Sequence, residues 1–149
     1  MNMVKKFNKF IERIQSVNCQ LLNKDFRIAL EEIDLTKDSL VYVDPPYLIT
    51  CATYNENGGW TEQDERDLLN LLDKLHAQGI RFALSNVLRS KGKENTILID
   101  WLNSNKERYN IIYLDYSYSN SNYQVKDRQS KSEEVLITNY TSDLETTHK

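Results

Sequence analysis

Apolar positions recur at helical spacing from the start of the chain, at Val4, Phe7, Phe10, Ile11, Ile14 and Val17, with Lys5, Lys6, Lys9 and Arg13 on the other faces. That pattern predicts an amphipathic first helix whose basic face is solvated. Residues 18–22 read as a short strand, and Asp25 then caps a short helix running through Ala29, Leu30 and Ile33, with Phe26 as a packing residue. A polar link leads into Leu40-Val41-Tyr42-Val43, which is apolar on both faces, as a buried parallel strand is. Thr61 and Asp64 form a capping box ahead of a helix that buries Leu68, Leu69, Leu71, Leu72 and Leu75 and stops at Gly79. Residues 80–86 make a second buried strand ending in Ser85-Asn86. Strand, crossover helix and strand make a βαβ unit, so the two strands should be parallel.

Beyond that unit, a loop containing Lys91-Gly92-Lys93 leads to a helix carrying Ile97, Leu98, Trp101 and Leu102. Residues 110–116 read as a third strand, residues 117–132 as a polar loop without apolar periodicity, and residues 133–139 as a last strand. No crossover helix separates the last two strands, so they should pair antiparallel. The tail from Thr141 is expected to fray. The fold class is therefore α/β, with a mostly parallel sheet and a C-terminal antiparallel hairpin.

Composition narrows the class. The 149 residues are 40% apolar and 28% charged, which suits one soluble domain with a real core. A net charge of −3 gives no global sign of nucleic-acid binding, so any such contact must come from a local basic patch. Cys19 and Cys51 have neither metal spacing nor a disulfide framework; both are expected to be small buried residues in a reduced cytoplasmic setting. No metal site and no membrane span are expected.

The chain has two prolines, and they stand side by side in Asp44-Pro45-Pro46-Tyr47, directly after a predicted strand. Proline lacks a backbone N–H and fixes φ, so the pair ends the strand and stiffens the backbone beyond it. The product is a rigid corner with a carboxylate, carbonyl acceptors and an aromatic ring, suited to a flat group bearing an exocyclic amine. In a parallel sheet, ligands gather beyond the carboxyl ends of strands, which would bring this corner and Ser85-Asn86 to one edge. The loop Tyr54-Asn55-Glu56-Asn57-Gly58-Gly59-Trp60 reads equally as a mobile aromatic flap or as a surface loop anchored by one Trp. It lacks the helix and glycine spacing of a phosphate cradle.

In order along the chain, Asn23-Lys24-Asp25-Phe26, Val41-Tyr42-Val43-Asp44-Pro45-Pro46-Tyr47, Trp60-Thr61 opening a Leu-rich helix, Leu84-Ser85-Asn86, and the polar loop running into residues 133–140 resemble Dam-type DNA adenine N6-methyltransferases. The resemblance implies methyl transfer from S-adenosylmethionine to a flipped-out adenine, of the restriction-modification kind. It implies that Asp44, Pro45, Pro46 and Tyr47 are catalytic, with Asp44 and the Pro45 carbonyl accepting the N6–H bonds and Tyr47 stacking on the base. It implies that Asp25 and Phe26, with Asp44, bind the cofactor. DNA contacts are implied at Tyr54, Asn55, Ser85, Asn86, Lys126, Arg128 and Lys131.

The family order begins with a Phe-x-Gly-x-Gly loop, a ribose-binding acid and a target-recognition region, and none of these stands in this sequence. Residues 1–140 accordingly resemble the C-terminal part of the catalytic domain, of a partial Rossmann-like fold, followed by a disordered tail at 141–149. The strand before Asp44 is then expected to be a sheet edge, open to a separate N-terminal half or to self-association. The alternative expectation is a non-catalytic remnant serving as a dimeric or partner-binding module.

Overall fold

The strand on which the second unit is assembled is β2 (Arg81–Ser90), the longest among the described residues, with Phe82, Leu84, Val87 and Leu88 all buried. In the computed structural model, residues 3–50, 59–114 and 132–141 are described. They divide into two units, Met1–Ile33 and Asp34–Lys149.

The first unit holds α1 (Met3–Ser16) and α2 (Phe26–Glu32). Helix α1 is amphipathic, as its spacing predicts, yet it has no buried residue, and Phe7 and Phe10 are exposed. Asp25 caps α2, its Oδ1 accepting the Arg27 N–H at 2.9 Å. The strand expected at residues 18–22 does not form: the stretch is irregular and Leu21 is exposed. A strand needs a neighbour to take its backbone N–H and C=O groups, and no ladder among the described residues includes this stretch. Cys19, expected to be buried, is exposed, and Cys51 lies outside the described residues.

In the second unit, β1 (Leu40–Val43), β2, β3 (Lys93–Glu94), β4 (Asn110–Tyr113) and β5 (Glu133–Thr138) form one sheet. Its order is β1-β2-β5-β4, with β3 paired to β2. β1 and β2 are parallel, while β5 is antiparallel to both β2 and β4. Hence β1, β2 and β4 run the same way, and β5 alone among the longer strands opposes them. The antiparallel β4–β5 hairpin is as expected; the new finding is that β5 inserts between β2 and β4.

Helix α3 (Glu62–Ala77) connects β1 to β2, and its capping box is complete: Thr61 Oγ1 accepts the Asp64 N–H at 3.1 Å and Asp64 Oδ2 accepts the Thr61 N–H at 2.9 Å. It ends at Gly79, where φ is +73°; the Gly79 N–H reaches His76 O and the Ile80 N–H reaches Leu75 O, both at 2.9 Å. Those two bonds need a left-handed residue at this position, which glycine supplies without strain. Strand β2 does not stop at Asn86. It continues to Ser90 and turns back into β3 through Lys91 and Gly92, whose φ values of 49° and 77° make a two-residue hairpin.

Helix α4 (Thr96–Ser104) joins α3 on β2, burying Ile97, Leu98 and Leu102. Beside them Tyr109 is buried, stacked on Trp101 at 4.7 Å and edge-on to His76 and Phe82. Its hydroxyl donates to Asp73 Oδ1 at 2.5 Å, and the Trp101 indole N–H also donates to Asp73. Burial, then the bond to Asp73 and its negative charge, push the Tyr109 pKa well above its usual value.

Removing that hydroxyl in Tyr109→Phe should cost about 1.5–3 kcal/mol in urea unfolding, the range for a hydrogen bond to a charged group. Below about pH 10 the phenol is protonated in both folded and unfolded chains, and its contribution is whole. Above that, the unfolded chain releases the proton while the folded chain keeps it, so stability falls. Tyr109→Phe should therefore lose less stability between neutral and strongly alkaline pH than the wild type. An equal loss in both would contradict this.

Candidate active site

Strand β1 ends at Val43 because Pro45 and Pro46 cannot donate to a ladder. The register pairs Val43 with Leu84, so the next residues, Asp44 and Ser85, stand abreast at the end of β1. On this same side of β2, β1 takes residues 81–84 and β3 takes residues 89–90. Among the described residues, no strand pairs with 85–87 there. The corner Asp44-Pro45-Pro46-Tyr47 leads away from β1 at this notch.

Tyr47 folds back toward the strand ends. Its hydroxyl donates to Asp44 Oδ1 at 3.1 Å and lies 3.1 Å from Ser85 Oγ. The Tyr47 carbonyl accepts the Thr50 N–H at 3.2 Å, closing the next turn. Asp44 is exposed and Tyr47 half-buried. Burial raises the Tyr47 pKa; the Ser85 hydrogen bond opposes that rise, and the charge and hydrogen bond of Asp44 add to it. The phenol is therefore neutral at physiological pH and acts as a donor to the carboxylate.

Ser85 and Asn86 are expected together at one edge, but successive strand side chains point to opposite faces. Ser85 meets Tyr47, whereas Asn86 is 1% exposed and donates to Glu65 Oε1 at 3.0 Å. Glu65 is fully buried. It also accepts the Asn95 amide at 2.8 Å and the Trp60 indole N–H at 2.6 Å. One carboxylate thus ties together the start of α3, the middle of β2 and the cap of α4, since Asn95 Oδ1 accepts the Leu98 N–H. Sequence reasoning does not single out Glu65. The available signal is its place on the helical stripe with Leu68, Leu69 and Leu72, where a lone acid must have buried donors.

In the first unit, the pair expected at the cofactor has the right chemistry, an acceptor beside an aromatic ring. Both members are engaged by Arg27: its guanidinium pairs with Asp25 Oδ2 at 3.0 Å and lies 4.4 Å from the centre of the Phe26 ring. The carboxylate still has lone pairs to offer, so the residues fit S-adenosylmethionine in kind if Arg27 yields the ring face. Tyr54, Asn55, Lys126, Arg128 and Lys131 lie outside the described residues, as does the tail beyond Thr141. Among the described residues, no group of His, Cys, Asp and Glu could hold a metal, and no helix is long and apolar enough to cross a membrane.

The sequence has clear relatives. The family model of the D12 class N6 adenine-specific DNA methyltransferases matches residues 3–132. The type II methyltransferase M.FokI of Planomicrobium okeanokoites is 44% identical over 142 residues, covering 93% of this chain and 21% of that protein. Modification methylase StsI of Streptococcus sanguinis is 40% identical, with the same two shares. Modification methylase LlaI of Lactococcus lactis subsp. lactis is 36% identical over 72% of this chain and 17% of its own length. The chain thus spans about a fifth of the length of the curated relatives it matches.

Glu65→Ala would take the Glu65 acceptor from the buried Asn86 and Asn95 amides and from the half-buried Trp60 indole N–H. At about 1–3 kcal/mol for each buried donor left unmet, it should destabilise the chain by roughly 2 kcal/mol or more. Urea denaturation followed by circular dichroism measures this. In a Trp101→Phe background the remaining described Trp, Trp60, should also shift its emission. A loss below about 1 kcal/mol would mean that water replaces the carboxylate.

Proposed function

Because this chain belongs to the D12 class of N6 adenine-specific DNA methyltransferases, we propose that it supplies the base-handling part of a site-specific DNA adenine N6-methyltransferase of a restriction-modification system. The observation that carries this reading is the corner itself. The Asp44 carboxylate stands next to the Pro45 carbonyl at the end of β1, with the Tyr47 ring folded beside them.

The lone pair of adenine N6 is delocalised into the ring, so the nitrogen is a poor nucleophile. Asp44 and the Pro45 carbonyl accept its two N–H bonds, drawing the nitrogen toward tetrahedral geometry and freeing the lone pair. Acceptors aimed where positive charge develops are electrostatic preorganisation. Pro45 and Pro46 hold the corner without offering donors that would compete for those acceptors. The base must leave the duplex to reach the corner, and Tyr47 stacks on it there, which is worth about 1–3 kcal/mol. S-adenosylmethionine, when bound, supplies an electrophilic methyl group; Asp25, Phe26 and Asp44 are the residues we assign to holding it. Tyr54, Asn55, Lys126, Arg128 and Lys131 are assigned to DNA, the three basic residues to phosphate. A cytoplasmic protein meets both DNA and cofactor.

We further propose that these 149 residues do not turn over unaided. The sequence has no Phe-x-Gly-x-Gly loop, and among the described residues β1 has a neighbour on one side only. A polypeptide that supplies the Gly-rich loop and pairs with β1 would complete the site. A second reading, a non-catalytic module that associates through β1, draws on the same edge, where Leu40 and Tyr42 are exposed.

Isothermal titration of the purified chain with S-adenosylmethionine should give weak binding or none; tight one-to-one binding would refute the proposed dependence on a partner. Methyl transfer to DNA should appear on mixing with the complementary part of a relative. Asp44→Ala should then cut kcat by about 10²–10³, the scale of removing one preorganised electrostatic partner. Unchanged turnover would remove Asp44 from the mechanism, and no methylation with any complement would favour the non-catalytic module.

A further inference from the structure

Ser85 is a polar residue of β2 that faces the corner. It sits on β2 with a strand on each side at its own level or the level before, Leu84 pairing with Val43 and Ser85 with Leu136. That makes it a fixed post, whereas Asp44 and Tyr47 belong to the irregular segment after β1. The only described tie from that post to the corner is the 3.1 Å contact between Ser85 Oγ and the Tyr47 hydroxyl.

The proton order in this chain of groups is fixed by what each can do. A carboxylate accepts only, so the single Tyr47 proton goes to Asp44 Oδ1. Tyr47 Oη then has only lone pairs to offer Ser85, and the Ser85 hydroxyl must be the donor. The direction is Ser85 to Tyr47 to Asp44. We propose that Ser85 is a positioning residue that fixes the Tyr47 phenol by donating to it, so that one oxygen of Asp44 is held by Tyr47 and the other is left for the incoming amine. This role replaces a DNA contact for Ser85 and rests on the adenine-handling reading of the corner. A site held by a rigid strand through a directed hydrogen bond keeps its productive geometry better than one left on a loop.

The upward shift of the Tyr47 pKa has the matching signature, because the Ser85 bond acts against it and the Asp44 bond adds to it. That gives two substitutions with opposite signs. In the full chain labelled at tyrosine Cζ, with the Tyr47 signal identified by Tyr47→Phe, Ser85→Ala should move the Tyr47 titration further upward. Asp44→Asn should move it down, and Ser85→Thr, which keeps the hydroxyl, should restore the wild-type value. A Tyr47 titration unmoved by Ser85→Ala overturns the proposal whether or not the chain methylates anything.

Where methyl transfer is obtained with a complementary part, Ser85→Ala should lower kcat about fivefold, the scale of one ordinary hydrogen bond, with KM for DNA within about twofold. Ser85→Thr should recover it. A raised KM with unchanged kcat would put Ser85 on the DNA and overturn the proposal. Loss of the adenine-handling reading is distinguishable, because it appears as a wild type that stays inactive with every complement while the titration still reports the bond.

Discussion

Everything in the second unit depends on burying β2. A ten-residue strand with its apolar side chains covered takes partners for its N–H and C=O groups along both edges. On one edge β5 runs antiparallel alongside residues 83–89. On the other, β1 and β3 share the work and leave a gap at 85–87. That gap is where the corner Asp44-Pro45-Pro46-Tyr47 leaves the sheet. The place of Asp44 thus follows from register: once Val43 is locked to Leu84, the next residues, Asp44 and Ser85, stand at the same level.

A gap beside a buried strand would be a weak place without something beneath it. The Glu65 carboxylate fills that need on the opposite face of β2, accepting from Asn86, Asn95 and Trp60. Asn86 also turns its Oδ1 to the Val87 N–H at 2.8 Å, and the β2–β5 register shifts between Val87 and Arg89. A buried polar network of this kind stiffens its surroundings only if every member is satisfied. No buried side-chain polar atom among the described residues lacks a partner. Tyr109, Trp101 and Asp73 do the same service at the far end of the helices, around the stack that closes the core.

Local rules make most of this fold readable. The capping box at Thr61, the stop at Gly79, the parallel β1–β2 pair and the corner all depend on residues close in sequence, and the structure has each of them. The features that escape such rules depend on distant partners. Asn86 looks like the end of a strand because a polar residue after an apolar run often is one; only Glu65, on another element, shows it to be interior. Residues 18–22 have strand composition but no strand to pair with among the described residues. The insertion of β5 between β2 and β4 could not be read from connection lengths, which fix direction and not neighbours.

The same distinction bears on the proposal that this chain handles the base but does not turn over unaided. In the proposed reading, the amine is handled by acceptors from consecutive residues, Asp44 and Pro45, a ring two residues on and one hydroxyl from the neighbouring strand. All of these are set by a single parallel pairing. Holding a methyl donor asks for groups gathered from several strand ends, and among the described residues β1 is where the strands stop. An edge strand with Leu40 and Tyr42 exposed carries an unmet row of backbone groups and an apolar surface together. Pairing there would satisfy both at once, and it would do so immediately beside Asp44.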